Sequence, residues 1–149
     1  MIALACDHGG FELMKDIKNY LDSVGKECKD FGVFSPHSCD YPVIMTPAAK
    51  SITDGICDIG IFICGTGIGM SMAANKTPGI RAGLCTNQYM AEMTRSHNDA
   101  NVLVMGGRVT DSGLAIEIVK TFLDTDFSND EKHRRRVAML NSLDTKRKE

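Results

Sequence analysis

The residues best suited to chemistry lie in the stretch ICGTGIGMSMAANK, where Cys64 stands directly before glycines at 65, 67 and 69. Glycines let a backbone approach a ligand closely, and successive amides make a nest for a phosphate, a carboxylate or a developing oxyanion. The spacing fails the familiar templates. A dinucleotide loop needs G-x-G-x-x-G after the first strand and a P-loop needs G-x-x-x-x-G-K-[ST], and Gly65, Gly67 and Gly69 match neither. A cysteine phosphatase would carry its arginine where this chain has Met70. A hydrolase elbow would set the nucleophile between the glycines instead of before them. An oxyanion nest with a thiol at its edge remains. A helix N-terminus lowers a thiol pKa and supplies a thiolate, which can act as nucleophile or base. A buried, inert cysteine is the competing reading.

Other candidates fall at positions the same chemistry would need. CDHGG brings Asp7 and His8 to the end of a first strand; Asp7 also reads as a helix N-cap and His8 as a half-exposed loop residue. In NQYMAEMTRSH, Met90, Met93 and His97 share a helical face expected to point inward, with a satisfied core histidine as the alternative. The sequence SNDE, Ser128 to Glu131, has the form of a capping box and opens a last helix expected to run to about Asn141. At about 100° per residue, Lys132, Leu143, Arg136, Leu140, His133 and Val137 fall within an arc of roughly 140°, while Arg134 and Arg135 point to solvent. Three groups able to carry positive charge thus share an apolar face. Buried cations need an anion, and phosphate answers through charge-assisted hydrogen bonds. If that helix packs on a second subunit, the site is shared across a dimer.

The elements that must position these groups are visible as short apolar runs without polar alternation, as strands buried on both faces require. They are IALAC (2–6), ECKDF (27–31), IGIFIC (59–64), IRAGLC (80–85) and NVLVM (101–105). Between the first two, Met14, Ile17, Leu21 and Val24 form a helical stripe that Gly25 ends. Further helical segments are expected near 42–54, 67–75, 87–97 and 111–124, with Pro47 weighing against the first of them. Alternation of this kind predicts an α/β fold with a five-stranded parallel sheet and right-handed crossovers. Ligands of such sheets collect at the carboxyl ends of the strands. Residues 1–149 read as one domain, an α/β core over 1–126 and a C-terminal helix and tail over 127–149, the tail DTKRKE being a fraying end.

The chain has 149 residues, is 43% hydrophobic and has a formal net charge of −2. That length suffices for a core without disulfides. Its six cysteines form no C-x-x-C pair, so reduced thiols and a cytoplasmic location are expected, with no metal site. No segment has the leader or spanning pattern of an exported or membrane protein. The charge gives no reason to expect nucleic acid or a membrane as a partner.

CDHGGF (6–11), DYP (40–42), ICGTGIGMSMAANKTPGIRA (63–82), HNDANVL (97–103), GGRV (106–109) and HRRRV (133–137) together resemble the type B ribose-5-phosphate isomerases, in the wider family that includes galactose-6-phosphate isomerase subunits. The resemblance implies a three-layer Rossmann-like α/β/α sandwich whose C-terminal helix packs on a partner subunit. It implies a cofactor-independent aldose–ketose isomerase of the non-oxidative pentose phosphate pathway, interconverting D-ribose 5-phosphate and D-ribulose 5-phosphate. Allose 6-phosphate and galactose 6-phosphate are the alternative substrates. A homodimer or dimer of dimers would hold sites between subunits. Cys64 would be the base, Thr66 with the amides of Gly65, Gly67 and Gly69 would hold the oxyanion, and His97 with Asp7 would assist ring opening. His8, Arg108, Lys132 and Arg136 would bind phosphate, and Tyr41 and Asn98 would line the sugar pocket. Where the family usually has arginine before the histidine of the last helix, this chain has Lys132, which keeps the charge and loses the bidentate fork. A non-catalytic phosphate-binding module and a thiol redox protein or phosphatase are the readings from other classes.

Overall fold

The computed structural model describes residues 1–146. Five parallel strands, β1 (Ile2–Cys6), β2 (Cys28–Asp30), β3 (Ile59–Cys64), β4 (Ala82–Leu84) and β5 (Val102–Gly106), form one sheet in the order β2-β1-β3-β5-β4. The three central strands are the apolar runs of the sequence, and they are buried because helices cover both faces. On one face α1 (Phe11–Ser23), α4 (Gln88–Ser96) and α5 (Ser112–Asp124) pack Ile17, Leu21, Ala91, Ile118 and Phe122 against Leu4, Ile61, Ile63 and Leu103. On the other, α2 (Tyr41–Thr53) and α3 (Ile68–Ala74) pack Met45, Ala49 and Met70 against Ala3, Ala5, Phe62 and Val104. This is the expected three-layer α/β/α sandwich. Burying side chains of this size contributes about 1.5–3 kcal/mol each, so the central strands hold both layers together.

Several local expectations need correction. Helix α2 forms despite Pro47, and the Thr46 hydroxyl donates to the Pro42 carbonyl at 2.7 Å one turn earlier. The last helix, α6, runs from Glu131 to Lys146, past Asn141, and the Asp144 carboxylate accepts from the Gly79 amide at 2.8 Å. The expected fraying tail is therefore helical as far as residue 146, and its last three residues lie outside the described residues. No capping box forms. The Asp130 carbonyl accepts the first helical bonds, from His133 and Arg134, and the Ser128 hydroxyl accepts from the Asp130 amide at 3.2 Å, not from Glu131.

From β1 the chain moves outward to β2 and then returns across β1 to β3. Helices on opposite faces leave a crevice where that direction reverses, at the carboxyl ends of β1 and β3.

Candidate active site

Three strands deliver their ends to this crevice. The Asp7 amide donates to the Ile63 carbonyl at 3.1 Å, the Gly107 amide to the Cys64 carbonyl at 2.7 Å and the Arg108 amide to the Gly65 carbonyl at 2.9 Å. The turns after β1, β3 and β5 are thereby stitched into one surface, with Cys64, 5% exposed, in its floor. Asp7 is buried, and its Oδ1 accepts from the amides of Gly9 at 2.8 Å and Gly10 at 3.2 Å. Gly10 occupies the cap position of α1, so Asp7 ties the turn before the helix and is not its N-cap. Half-buried His8 accepts the Cys39 amide at Nδ1, at 3.4 Å, which leaves Nε2 to carry the proton of the neutral ring.

The glycines give other side chains access to the loop. A Cβ on Gly65 would lie 3.2 Å from Arg108 Nη1, and one on Gly69 would lie 2.9 Å from the Tyr41 hydroxyl. Arg108 and Tyr41 therefore rest directly on the loop. Among the described residues, the amides of Gly65, Thr66 and Gly67 donate no hydrogen bond, while the exposed Thr66 hydroxyl accepts from the Ile68 amide at 3.3 Å. Gly67 precedes α3 at φ +80°, and a Cβ there would meet Leu84 Cδ1 at 2.5 Å and the Met105 carbonyl carbon at 2.9 Å. Left-handed strain and overpacking combine at this position. Gly67→Ala should lose about 2–5 kcal/mol of stability in urea denaturation.

His97 and Asn98 lie at the other end of the sheet. They follow α4, and the Asn98 carbonyl accepts from Arg81 Nε at 3.2 Å, just ahead of β4. Gly60, Ala82 and Val102 pair at that level, whereas Cys64 pairs with Gly106. Four residues of strand separate the two levels, about 13 Å at the usual rise. Against expectation, Met90 and His97 face outward, and Ala91 is the buried residue of α4. Within the chain α6 likewise buries only part of its expected face. His133 is 5% exposed, Val137 is half-buried, and Lys132, Arg136, Leu140 and Leu143 are exposed. The His97 and His133 rings stack with centroids 4.2 Å apart.

The family described as Ribose/Galactose Isomerase matches residues 2–140. The chain belongs to that family. Ribose-5-phosphate isomerase B of Escherichia coli K12 is 41% identical over 146 residues, covering 98% of this chain and 97% of the relative. A galactose-6-phosphate isomerase subunit of Clostridium acetobutylicum is 35% identical over 127 residues, covering 85% of this chain and 73% of its own. The solved structure of Clostridium thermocellum ribose-5-phosphate isomerase B superposes with a TM-score of 0.95 at 46% identity, covering 98% of both chains.

In this isomerase chain the fold brings together Asp7, His8, Tyr41, Cys64, the glycine loop with Thr66, and Arg108. It places His97, Asn98, Lys132 and Arg136 in a second group, with His133 between α4 and α6. Sequence reasoning missed Gly10, whose packing against the Ile63 carbonyl leaves no room for a Cβ. The paired glycines of CDHGG were the available signal. It also gave no role to Arg81 and Asp99, which clamp the His97–Asn98 turn through a 3.0 Å ion pair, although both lie within the stretches ICGTGIGMSMAANKTPGIRA and HNDANVL that carry the resemblance. Burial pushes the His133 imidazole below its ordinary range, and neighbouring His97 and Lys132 push the same way. The unfolded chain binds that proton more tightly, so stability falls as pH drops below the ordinary imidazole value of about 6.5. An NMR titration should place the His133 midpoint under that value.

Proposed function

We infer that the protein interconverts D-ribose 5-phosphate and D-ribulose 5-phosphate without a cofactor, as a homodimer or dimer of dimers. Each site takes the Cys64 group from one subunit and the His97 group from its partner. The observation that carries this reading is the Cys64–Gly69 loop at the strand-order reversal, with amides at 65–67 that donate no hydrogen bond among the described residues and Arg108 resting on it. The names of the similar proteins support the substrate. The roughly 13 Å of strand between the two groups supports sharing, because one chain cannot direct both at one sugar.

The partner's His97 opens the furanose ring with Asp7 assisting, and the Cys64 thiolate takes the C2 hydrogen of the open aldose. Charge moves onto O1, where the amides and the Thr66 hydroxyl hold it; the O2 proton passes to O1, and the thiol returns its proton at C1 to give the ketose. Tyr41 and Asn98 line the sugar. His8 and Arg108, with Lys132 and Arg136 across the interface, neutralise the phosphate.

Rates on ribose 5-phosphate, allose 6-phosphate and galactose 6-phosphate test the substrate. The pentose should exceed both hexoses in kcat/KM by at least about tenfold. A hexose turned over as well or better would overturn it.

A further inference from the structure

Ser128, released from the capping box that the sequence suggested, has no part in the site described above, yet it touches both sides of the histidine pair. Its amide donates to the carbonyl of Ser96, the residue before His97, at 3.0 Å. Its hydroxyl oxygen sits 2.7 Å from His133 Nδ1 and accepts from the Asp130 amide at 3.2 Å. The hydroxyl keeps its own hydrogen beside the ring nitrogen 2.7 Å away, and in the arrangement proposed below it donates that hydrogen to His133 Nδ1. Donation there fixes the tautomer with the proton on Nε2. The Asp130 carboxylate, at 3.8 Å from the same nitrogen and largely exposed, stands just beyond hydrogen-bond range.

We propose that Ser128 is a positioning residue for the isomerase reaction: it locks the ring plane and tautomer of His133, whose face in turn holds His97 in the orientation needed to open the sugar ring. The proposal rests on the ribose 5-phosphate reading and adds a residue specific to the ring-opening step. A buried ring held at one edge can be a rigid platform for its neighbour, and His97, stacked on it at 4.2 Å with a 31° tilt, is itself exposed. Without the hydroxyl, Asp130 is the remaining acceptor near Nδ1. The His133 proton then moves to Nδ1, and the ring swings toward the carboxylate.

Ring opening and proton transfer can be measured separately. Ribulose 5-phosphate has no free hydroxyl at C5 and is acyclic, so exchange of its C1 hydrogen in deuterated water needs the Cys64 step and no ring opening. Ser128→Ala should lower kcat on ribose 5-phosphate about tenfold, with KM and the C1 exchange rate within about twofold of wild type. Nitrogen-15 shifts of the His133 ring should change from the Nε2–H to the Nδ1–H form, and Ser128→Thr should restore both shifts and rate. Unchanged turnover, an equal loss of exchange, an unchanged tautomer or failed rescue by threonine would each overturn the proposal. If the wild type does not turn over ribose 5-phosphate, the substrate reading fails, and the ring shifts alone then decide whether Ser128 holds His133.

Discussion

Replacing Cys64 with alanine should lower kcat on ribose 5-phosphate by about a thousandfold or more, with KM within about twofold of wild type. The size of the effect follows from the lack of a substitute. Asp7 is buried with its Oδ1 held by two backbone amides and is assigned to the ring-opening step, and His8 Nδ1 is committed to the Cys39 amide. Thr66 is the other loop side chain able to exchange a proton, and a hydroxyl is far too weak a base near neutral pH. Binding should survive, because Arg108, Tyr41 and the loop amides do not depend on the thiol for their positions. Cys85→Ala is the matched control: that thiol is also buried, burial pushes its pKa up to about 12, and the mechanism gives it no role. Isothermal calorimetry with ribose 5-phosphate, beside steady-state rates, separates lost chemistry from lost binding. A Cys64→Ala protein with near wild-type kcat would remove the thiol as the base.

The sheet was legible where burial makes sequence simple. β1, β3 and β5 are covered on both faces, so their residues form apolar runs and their limits were readable to within a residue. β2 and β4 are edge strands of three residues with half-exposed side chains, and the apolar runs around them overstate their length. In α4 a periodic stripe of Met90, Met93 and His97 pointed to the wrong face. The inward side holds small Ala91 and also half-buried Arg95, whose guanidinium lies over the Phe122 ring at 5.6 Å, and hydrophobic periodicity cannot announce an arginine packed in this way. Ser128 was misread because S-x-x-E matches a capping box in one dimension, whereas its hydroxyl is drawn to the His133 ring.

The site divides in the same way. Cys64 and its glycines were legible because a strand end, a nest and a helix start are all local. Tyr41 and Arg108 reach the loop only through tertiary packing, so resemblance, not spacing, pointed to them. For α6 the pattern correctly grouped Lys132, His133 and Arg136, but a face does not name its partner. In the chain alone His133 is covered while both cations, Leu140 and Leu143 remain exposed. An apolar face whose two cations have no ion pair among the described residues fits the proposed surface completed by another subunit and a phosphate.

Sharing of the site between subunits is the central claim, and mixing two disabled variants tests it. Cys64→Ala lacks the base, and His97→Ala, which should lose about a hundredfold on ribose 5-phosphate, lacks the ring-opening group. In a two-fold dimer containing one subunit of each, one site draws its Cys64 and its His97 from the unaltered sides, and the other site lacks both. Equal amounts, exchanged through gentle dissociation and reassembly, should therefore recover about a quarter of the wild-type rate from two nearly inactive proteins. A mixture that exchanges subunits and stays as inactive as its components would contradict the account.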